Sequence, residues 1–297
     1  MSKNHSKSGE TNAKAEDVVR PSPPIPAVCV GASAGGLEAL KDMLKPMPPD
    51  IGAAFVIVMH QHPCHTSLLP ELLAKATCLP VSLAADGTPL EPNHIYVGMP
   101  GDVLEIFGGK LCKAEKMAGS DRLIDHFLRF LAADQAECAI AVILSGADSD
   151  GTLGIQSVKA AGGMVIVQQP SEAKYDSMPA SAIATGLADY VLAASEMSAK
   201  LKDYIRGSYL KNSRRSMEPA PLLPEVAMTR ILVRLREQTG HDFTGYKRST
   251  ISRRIERRMS VHHIDEPGEY LGFLLSNPHE AQLLMQELLI SVTSFLE

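Results

Sequence analysis

The chain has 297 residues, of which 45% are hydrophobic and 21% charged, so it is long enough for one large folded domain and a second, smaller one. Its formal net charge of -5 excludes a general attraction to nucleic acid or to an anionic membrane, so any such partner would need a local basic patch. The 5 cysteines are odd in number and free of CxxC spacing, which argues against a disulfide framework and a zinc module and favours a reducing cytoplasm.

Residues 1–26 are rich in Ser, Lys, Asn and Pro and bury too little apolar surface to fold, so we predict a disordered leader. No segment approaches the roughly 20 consecutive apolar residues that a membrane-spanning helix needs. The polar start also lacks the apolar centre of a secretion signal. The sequence therefore predicts a cytoplasmic protein that does not insert into a membrane.

Short apolar runs of strand length alternate with helix-period stretches over residues 27–206, which predicts an α/β fold with a doubly wound, mostly parallel sheet. The runs are AVCV, AAFVIV, HIYVG, AIAVIL, GGMVIVQ and ADYVL. AAFVIV and AIAVIL are apolar at every position, as parallel strands covered by helices on both faces should be. The segment GLEALKDML predicts a helix directly after the first strand. The segments IYVGM and VLEIFGGKL, joined through Pro100 and Gly101, predict a hairpin appended to the main sheet.

Beyond this sheet, charge, Ser and Pro replace periodic hydrophobicity at 207–221, which predicts a linker. Residues 222–297 predict a small all-α domain. One helix in PEVAMTRILVRLREQTG begins near Pro224 and stops at Gly240. Two further helices are predicted around STISRRIERRMSVH and AQLLMQELLISV.

Three potentially reactive side chains fall at the carboxyl ends of predicted strands. Ser33 lies in GASAGG, a turn between the first strand and the first helix that can expose a serine hydroxyl at the sheet edge. His60 ends the next strand, and Asp150 lies in the loop after AIAVIL, so all three can meet at the edge where parallel sheets bind ligands. A nucleophilic serine needs a base, and the base needs an acceptor that fixes its tautomer. Ser33, His60 and Asp150 fit these roles in that order, with the N–H groups of Ala34 and Ala147 as candidate oxyanion donors.

Other interpretations of these residues stay open. The glycine-rich turn would also suit a non-catalytic module that cradles the phosphate of a nucleotide at a helix N-terminus. It satisfies the G-x-S-x-G pattern of α/β-hydrolases of small esters, although in that family the acid precedes the histidine. His60, His62, Cys64 and His65 crowd one loop and suggest a metal site, but no carboxylate or CxxC pair joins them, so we expect no metal.

Several blocks within residues 26–205 occur in the order and spacing of one family: GASAGGLEAL, FVIVMHQHPCHTSLLPELL, AVILSGADSDGTLG and KAAGGMVIVQQPSEAKYDSMPASAIATGLADYVL. This part of the chain resembles the catalytic domain of the chemotaxis protein-glutamate methylesterases (CheB type). The resemblance implies that Ser33, His60 and Asp150 form a catalytic triad. It also implies hydrolysis of glutamate γ-methyl esters on methyl-accepting chemotaxis receptors, giving glutamate and methanol without a cofactor, with glutamine deamidation as a related activity.

Two departures from the family pattern affect these expectations. Family members often have threonine after the serine and Gly-Met-Gly before the loop aspartate, whereas this chain has Ala34 and Gly146-Ala147-Asp148. A hydroxyl contribution at position 34 is therefore not expected. The classical members carry a phosphorylatable receiver domain ahead of the esterase, and a leader of 26 residues is too short to hold one.

Residues from about 222 to 295 resemble the N-terminal helical domain of the chemotaxis methyltransferases (CheR type). In that family an S-adenosylmethionine-binding domain follows, and the sequence stops before it. The resemblance therefore implies that these residues transfer no methyl group by themselves and that S-adenosylmethionine is a cofactor only where that further domain is present. It also implies a place in a bifunctional methylesterase/methyltransferase.

A basic run occurs in this last segment. Arg254 and Arg258, like Arg253 and Arg257, are four residues apart and are predicted to share a helix face. The resemblance suggests that this face docks on the acidic helices of a receptor, and a merely solvated face is the alternative. No interleaved aromatic residues or groove-binding motif accompany the run, so nucleic acid is not an expected partner.

Overall fold

The computed structural model describes residues 24–60, 68–115, 122–207, 209–211 and 223–293. In this part of the chain the strands are β1 (Ala27–Ala32), β2 (Ala54–Met59), β3 (Val81–Leu83), β4 (Thr88–Pro89), β5 (His94–Val97), β6 (Val103–Phe107), β7 (Lys110–Ala114), β8 (Ala139–Ile143), β9 (Met164–Gln168) and β10 (Tyr190–Leu192). The helices are α1 (Gly36–Leu44), α2 (Leu69–Ala74), α3 (Leu123–Gln135), α4 (Gly154–Ala160), α5 (Ser177–Ala184), α6 (Ala194–Arg206), α7 (Glu225–Thr239), α8 (Arg248–Val261), α9 (Pro267–Ser276) and α10 (Pro278–Thr293).

A 7-stranded sheet with the order β10-β9-β8-β1-β2-β5-β3 forms the centre of the described fold. Every neighbouring pair in it is parallel. The chain builds outward from β1 through β2 and later returns to the other side of β1 with β8, so the strand order reverses at β1. In such sheets ligands bind outside the carboxyl ends of the strands at the reversal. The predicted doubly wound, mostly parallel sheet is confirmed.

Helices cover both faces of this sheet, which explains why its central strands are apolar at successive positions. All residues of β1 are buried. Val28 and Val30 point into a core shared with α1 and α6, and Cys29 points into a second core shared with α3, α4 and α5. The strand ends that carry the candidate site are therefore held by packing on two sides.

The appended hairpin is present, but its strands differ from the prediction. The IYV segment forms β5, which pairs in parallel with β2 and β3 inside the main sheet. The hairpin consists of β6 and β7, which turn at Gly108 and Gly109 and join β4 in a 3-stranded antiparallel sheet. Both glycines have positive φ values, 55° and 71°, so the tight turn lies there and not at Pro100–Gly101.

A small all-α domain follows, as predicted. Helix α7 starts after Pro224 and ends at Gly240, whose φ of 76° is typical of a helix C-terminus. The four helices enclose a core of their own that includes Ile231, Ile255 and Leu284. Helix α9, whose first turn contains Pro267, was not predicted from the sequence. None of the helices in the described residues is both long enough and apolar enough to cross a bilayer.

The chain between the two parts is described only in places. Residues 209–211 are helical, and Tyr209 and Leu210 are buried in the core that α1 and α6 share with the sheet. The packed structure of the sheet domain therefore extends at least to Leu210. The rest of the predicted linker beyond residue 211, and the predicted leader up to residue 23, lie outside the described residues.

Candidate active site

Three residues separate β1 from α1, and their geometry depends on small side chains. Gly35 has a φ of 73°, and a Cβ atom there would lie 2.8 Å from the Cβ of Lys174. A Cβ atom at Gly36 would lie 2.6 Å from that of Ala32. Glycine is therefore required at both positions, and the tight turn leaves Ser33 half-buried at the carboxyl end of β1.

Ser145, two residues after β8, stabilises this turn through hydrogen bonds. Its carbonyl oxygen accepts the Ser33 N–H at 3.0 Å, and its hydroxyl donates to the Ala34 carbonyl at 2.9 Å. The same hydroxyl accepts the N–H of Tyr175, and the Ser145 N–H donates to the side chain of Gln168, both at 2.9 Å. Ser145 and Gln168 were not predicted as supporting residues, because a serine or a glutamine in a sequence does not reveal which backbone groups it binds.

The structure brings Ser33, His60 and Asp150 together at the carboxyl ends of the adjacent strands β1, β2 and β8. The Nδ1 atom of His60 lies 3.3 Å from the Ser33 hydroxyl oxygen. The Nε2 atom of the same ring lies 3.4 Å from Oδ2 of Asp150. The His60 side chain is 26% exposed and that of Asp150 only 2%, so the base is accessible and its acceptor is shielded. This arrangement can activate a serine hydroxyl as a nucleophile.

The Asp150 carboxylate is held by backbone donors as well as by His60. It accepts the N–H groups of Ile124 and Asp125, both at 2.9 Å, and that of Gly151 at 2.8 Å. Burial raises the pKa of Asp150 above its ordinary value, and the N–H groups of Asp125 and Ile124 offset part of this rise. The carboxylate is thus fixed in direction by the first turn of α3.

Asp125 and Arg122 form a second layer behind Asp150. While the Asp125 N–H binds Asp150, the Asp125 carboxylate accepts the Gly154 N–H at 2.7 Å, so α3 and α4 cap each other through the two aspartates. Arg122 donates to the Ser149 carbonyl at 2.8 Å and pairs with Asp125 at 2.7 Å. Neither residue was predicted from the sequence, since nothing in the local sequence pattern distinguishes Asp125 from an ordinary acidic residue in a first helical turn.

Asp148 supplies a second carboxylate near His60, 3.9 Å from Nδ1. Its side chain is 54% exposed, and its Oδ1 atom accepts the Asp150 N–H at 2.8 Å. Asp148 therefore stabilises the loop that carries Asp150. It lies on the side of His60 Nδ1, the nitrogen that also faces Ser33.

The two candidate oxyanion donors lie in loops on either side of the serine. Ala34 follows Ser33 in the turn before α1, and Ala147 lies in the β8–α4 loop; both are exposed. Among the described residues neither N–H group is engaged in a hydrogen bond. Their role in oxyanion binding stays a prediction.

Two other interpretations of the site were a phosphate-binding turn and a metal site. The N–H groups of Ser33 and Gly36 donate to the carbonyls of Ser145 and Ser33, both at 3.0 Å, so two of the donors that a phosphate cradle needs are already engaged. No cluster of metal-ligating side chains occurs among the described residues. His62, Cys64 and His65, which suggested a metal site, lie at 61–67, outside those residues.

The predicted receptor-docking face on α8 requires a correction. Arg254, Arg257 and Arg258 are buried, with exposures of 8%, 0% and 1%. Their guanidinium groups contact backbone carbonyls and carboxylates of the described chain, so the prediction is wrong for these three residues. The Arg253 side chain is 54% exposed and lies 3.3 Å from Glu137, and its part in docking stays a prediction.

Two family models match the chain. Residues 28–201, more than half of the chain, match the family model described as CheB methylesterase. Residues 227–289 match the model described as CheR methyltransferase, all-alpha domain. The crystal structure of the Thermotoga maritima CheB methylesterase catalytic domain is 33% identical, with a TM-score of 0.54 over 60% of this chain and 97% of that chain.

Two curated relatives extend the comparison. A protein-glutamate methylesterase/protein-glutamine glutaminase of Thermotoga maritima is 34% identical over 185 residues, which cover 60% of this chain and 54% of the relative. An uncharacterized 104.1 kDa protein of Rhodobacter capsulatus is 34% identical over 251 residues, which cover 76% of this chain and 26% of the relative. The chain therefore spans about half of one of these relatives and about a quarter of the other.

Proposed function

Because this chain belongs to the CheB methylesterase family, we propose that residues 27–206 hydrolyse γ-methyl esters of glutamate side chains on methyl-accepting chemotaxis receptors, releasing glutamate and methanol. One observation carries the proposal. The His60 ring lies between the Ser33 hydroxyl, 3.3 Å from Nδ1, and the Asp150 carboxylate, 3.4 Å from Nε2. All three groups lie where three adjacent parallel strands end.

In the proposed acylation step, the Ser33 hydroxyl oxygen attacks the ester carbonyl carbon while Nδ1 of His60 takes its proton. The resulting imidazolium is stabilised through Nε2 by Asp150, which also fixes the tautomer before reaction. When the tetrahedral intermediate collapses, the C–O bond to the methoxy group breaks and His60 returns the proton to that oxygen. Methanol leaves, and a glutamyl ester of Ser33 remains.

Water completes the cycle. His60 takes a proton from a water molecule that attacks the acyl-enzyme carbonyl carbon, and it then protonates the Ser33 oxygen as the acyl bond breaks. The product is a glutamic acid side chain, which releases its remaining proton to solvent as it becomes the carboxylate, and Ser33 is free again. Both tetrahedral intermediates carry a negative oxygen, for which we assign the Ala34 and Ala147 N–H groups as donors. The proposed steps need no metal and no cofactor, since His60 transfers the proton in each step in which a bond to the acyl carbon forms or breaks.

Glutamine deamidation is a second candidate reaction of the same site. The Thermotoga maritima relative is named as both a methylesterase and a protein-glutamine glutaminase. The chemistry differs only in the leaving group, because ammonia departs where methanol would and the acyl-enzyme is the same. We propose that the ester is the faster substrate, since an amide nitrogen is the poorer leaving group.

We propose that the complete protein is a bifunctional methylesterase/methyltransferase that acts in the cytoplasm on receptor helices. The support is the second match, to the all-alpha domain of CheR methyltransferases, directly after the esterase. S-adenosylmethionine belongs only to the methyltransferase reaction and has no part in the hydrolysis at Ser33.

The test is methanol release from a methyl-esterified receptor fragment, comparing the chain with Ser33→Ala. We expect Ser33→Ala to lower kcat by about 10⁴-fold or more, because the members of a serine triad act as a unit. Thermal unfolding of both proteins should coincide, which shows that the loss is chemical. Near-normal turnover by Ser33→Ala would exclude the serine mechanism.

A further inference from the structure

The helical domain contacts the sheet domain at the edge opposite to the candidate active site. Gly162 and Gly163 come directly before β9, and Asp189 comes directly before β10, so these contact residues lie at the amino ends of their strands. Ser33 and Asp150 lie at the carboxyl ends of β1 and β8. The helical domain can therefore affect catalysis only through elements that reach from one edge of the sheet to the other. The short helix α4 is such an element, because it runs from the loop that carries Asp150 to the amino end of β9.

Two arginines from α8 bind the C-terminal end of α4 and the loop that follows it. Arg254 donates to the carbonyl oxygen of Lys159 at 3.0 Å and to that of Ala160. Arg257 donates through Nε to the carbonyl oxygens of Gly162 and Gly163 at 3.0 and 2.9 Å. The N–H groups of Gly162 and Gly163 already bind the carbonyls of Lys159 and Val158, at 3.0 and 2.9 Å, so the arginines add charged donors at a helix end whose dipole favours a cation. Arg254 therefore reinforces the C-terminal end of α4 from the other domain, and Arg257 holds the loop that follows it.

Buried charges fix the same end of α4. The Lys159 ammonium lies 2.8 Å from Asp189 and 2.8 Å from Glu287 of α10. Arg257 contacts both of these carboxylates at 2.5 Å, and Arg258 contacts Glu280 and both carboxylates. Lys159, Arg257 and Arg258 thus form direct ion pairs with Asp189, Glu280 and Glu287, and His262 adds a further contact to Glu280 at 2.7 Å. A buried network of this kind specifies one geometry, because each charge is costly to leave unpaired.

The other end of α4 is tied to the catalytic acid. Asp150 comes one residue before Gly151, whose carbonyl accepts the Ile155 N–H of the first helical turn at 3.0 Å. A Cβ atom at Gly154 would lie 2.6 Å from the Cβ of Leu128, so α4 packs closely on α3, whose first N–H groups hold the Asp150 carboxylate. Helix α4 has 7 residues and is about 10 Å long, which is short enough to move as a rigid piece.

From these contacts we propose that Arg254 is a positioning residue for Asp150, which it serves by holding α4 from the opposite edge of the sheet. The expected loss of kcat rests on the proposed esterase function. The expected change in structure rests only on the hydrogen bonds from α3 to Asp150. Arg254 is the informative residue because it donates to the carbonyls of Lys159 and Ala160, whereas Arg257 and Arg258 form the direct ion pairs with Asp189 and Glu287. Its removal therefore loosens the end of α4, while Asp189 and Glu287 keep their ion pairs with Lys159, Arg257 and Arg258.

The test compares the full chain with Arg254→Ala, Arg254→Lys and the control Arg248→Ala. Arg248 lies on the same helix, is exposed and pairs with Glu225 inside the helical domain. For Arg254→Ala we expect kcat on a small soluble methyl ester to fall about threefold to tenfold with KM unchanged. Arg254→Lys should recover part of the loss, and Arg248→Ala should match the unaltered chain. In an Asp150→Asn background, Arg254→Ala should cause no further loss, because the residue that it positions is already impaired.

A second readout does not depend on activity. The Ile124 and Asp125 amides donate to Asp150, so their hydrogen exchange should become faster in Arg254→Ala and stay unchanged in Arg248→Ala. Unchanged exchange at both amides, or the same fold-loss of kcat with and without Asp150→Asn, would overturn the proposal. If the unaltered chain releases no more methanol than Ser33→Ala, the esterase function fails, and the exchange data still decide the positioning claim. If Arg254→Ala does not fold, the same comparison is made with Arg254→Lys.

Discussion

At the scale of single residues, the two carboxylates beside His60 have different surroundings. Asp150 is buried and accepts several backbone N–H groups, whereas Asp148 is largely exposed and lies on the Nδ1 side of the ring. Only Asp150 can hold Nε2 while Nδ1 faces Ser33. The proposed mechanism therefore assigns tautomer control to Asp150 and loop shaping to Asp148.

We predict that Asp150→Asn lowers kcat/KM on a soluble methyl ester by about 10²- to 10⁴-fold, less than Ser33→Ala does, because the reacting groups remain while the imidazole loses its acceptor. Asp148→Asn is the matched comparison, with an expected loss at least tenfold smaller. Steady-state kinetics of the two variants measure this difference. Equal losses would mean that the exposed carboxylate orients His60 and that the assignment is wrong.

Gly146, in the loop after β8, allows the closest approach in the site. A Cβ atom there would lie 1.8 Å from the sulfur of Met178, which is fully buried. We predict that Gly146→Ala lowers the free energy of unfolding by about 1–3 kcal/mol, because Met178 has to move within a packed core. In Gly272→Ala, nothing lies within 4 Å of the added Cβ, and the helix should gain about 0.5–1 kcal/mol. Denaturant unfolding of both variants is the measurement, and equal stabilities would contradict this account of the loop.

The residues of the candidate site differ in how far the sequence could predict them. Ser33, His60 and Asp150 each follow a recognisable strand, and the carboxyl ends of parallel strands meet at one edge, so their proximity follows from topology. Ser145, Gln168 and Asp125 support the site through hydrogen bonds to particular backbone groups. Those bonds depend on loop paths that hydrophobic periodicity does not report, so these residues became visible only in the structure.

At the scale of elements, α8 shows what helical periodicity can and cannot say. The spacing of its arginines indicated which ones share a face, but a period of 3.6 residues does not reveal whether solvent or another domain covers that face. Long basic side chains usually remain exposed. Here three of them are buried, because the sheet domain supplies backbone carbonyls and Asp189 while the helical domain supplies Glu280 and Glu287. The hairpin differed for a similar reason, since β5 is recruited into the main sheet by its neighbour β2.

We predict that Arg257→Ala lowers the free energy of unfolding by about 3–5 kcal/mol, because it leaves Asp189 and Glu287 buried beside a missing cation. Arg253→Ala, on the same helix, removes one partly exposed contact to Glu137 and should cost at most about 1 kcal/mol. Chemical denaturation followed by circular dichroism compares the two. A cost below 1 kcal/mol for both would show that the buried charges contribute little to holding the domains together.

For the molecule as a whole, the stability of the contact between the two domains should depend more on pH than on salt concentration. Burial alone raises the pKa of Glu287, but the charges of Arg257 and Lys159 lower it from 4.5 to about 2. Asp189 is shifted in the same direction, since Arg257 and Lys159 outweigh its burial and lower its pKa. A carboxyl whose pKa is lowered by folding stabilises the fold fully above its unfolded value, about pH 4.5, and loses that contribution as pH falls toward its folded value.

We therefore predict that a chain cleaved at a protease site inserted between residues 212 and 222 elutes as one species at pH 7 and separates into two as pH falls from about 4.5 toward 2. At pH 7, 1 M salt should have little effect, because buried ion pairs are poorly screened. Size-exclusion chromatography of the cleaved chain gives the answer. Separation at pH 7 in high salt would show that the contacts between the domains are accessible to solvent.

The charge balance between the domains also bears on how such a protein can arise. Lys159 and Asp189 come from the sheet domain, while Arg257, Arg258, Glu280 and Glu287 come from the helical one. Joining two genes end to end would produce the chain order, yet it would not provide a lysine and an aspartate at the correct edge of the sheet. If the helical domain were fused to a methylesterase that lacks this lysine and aspartate, the two domains should not pack against each other. Substitutions at positions 159, 189, 257 and 287 should therefore be inherited together, as compensating changes within one lineage.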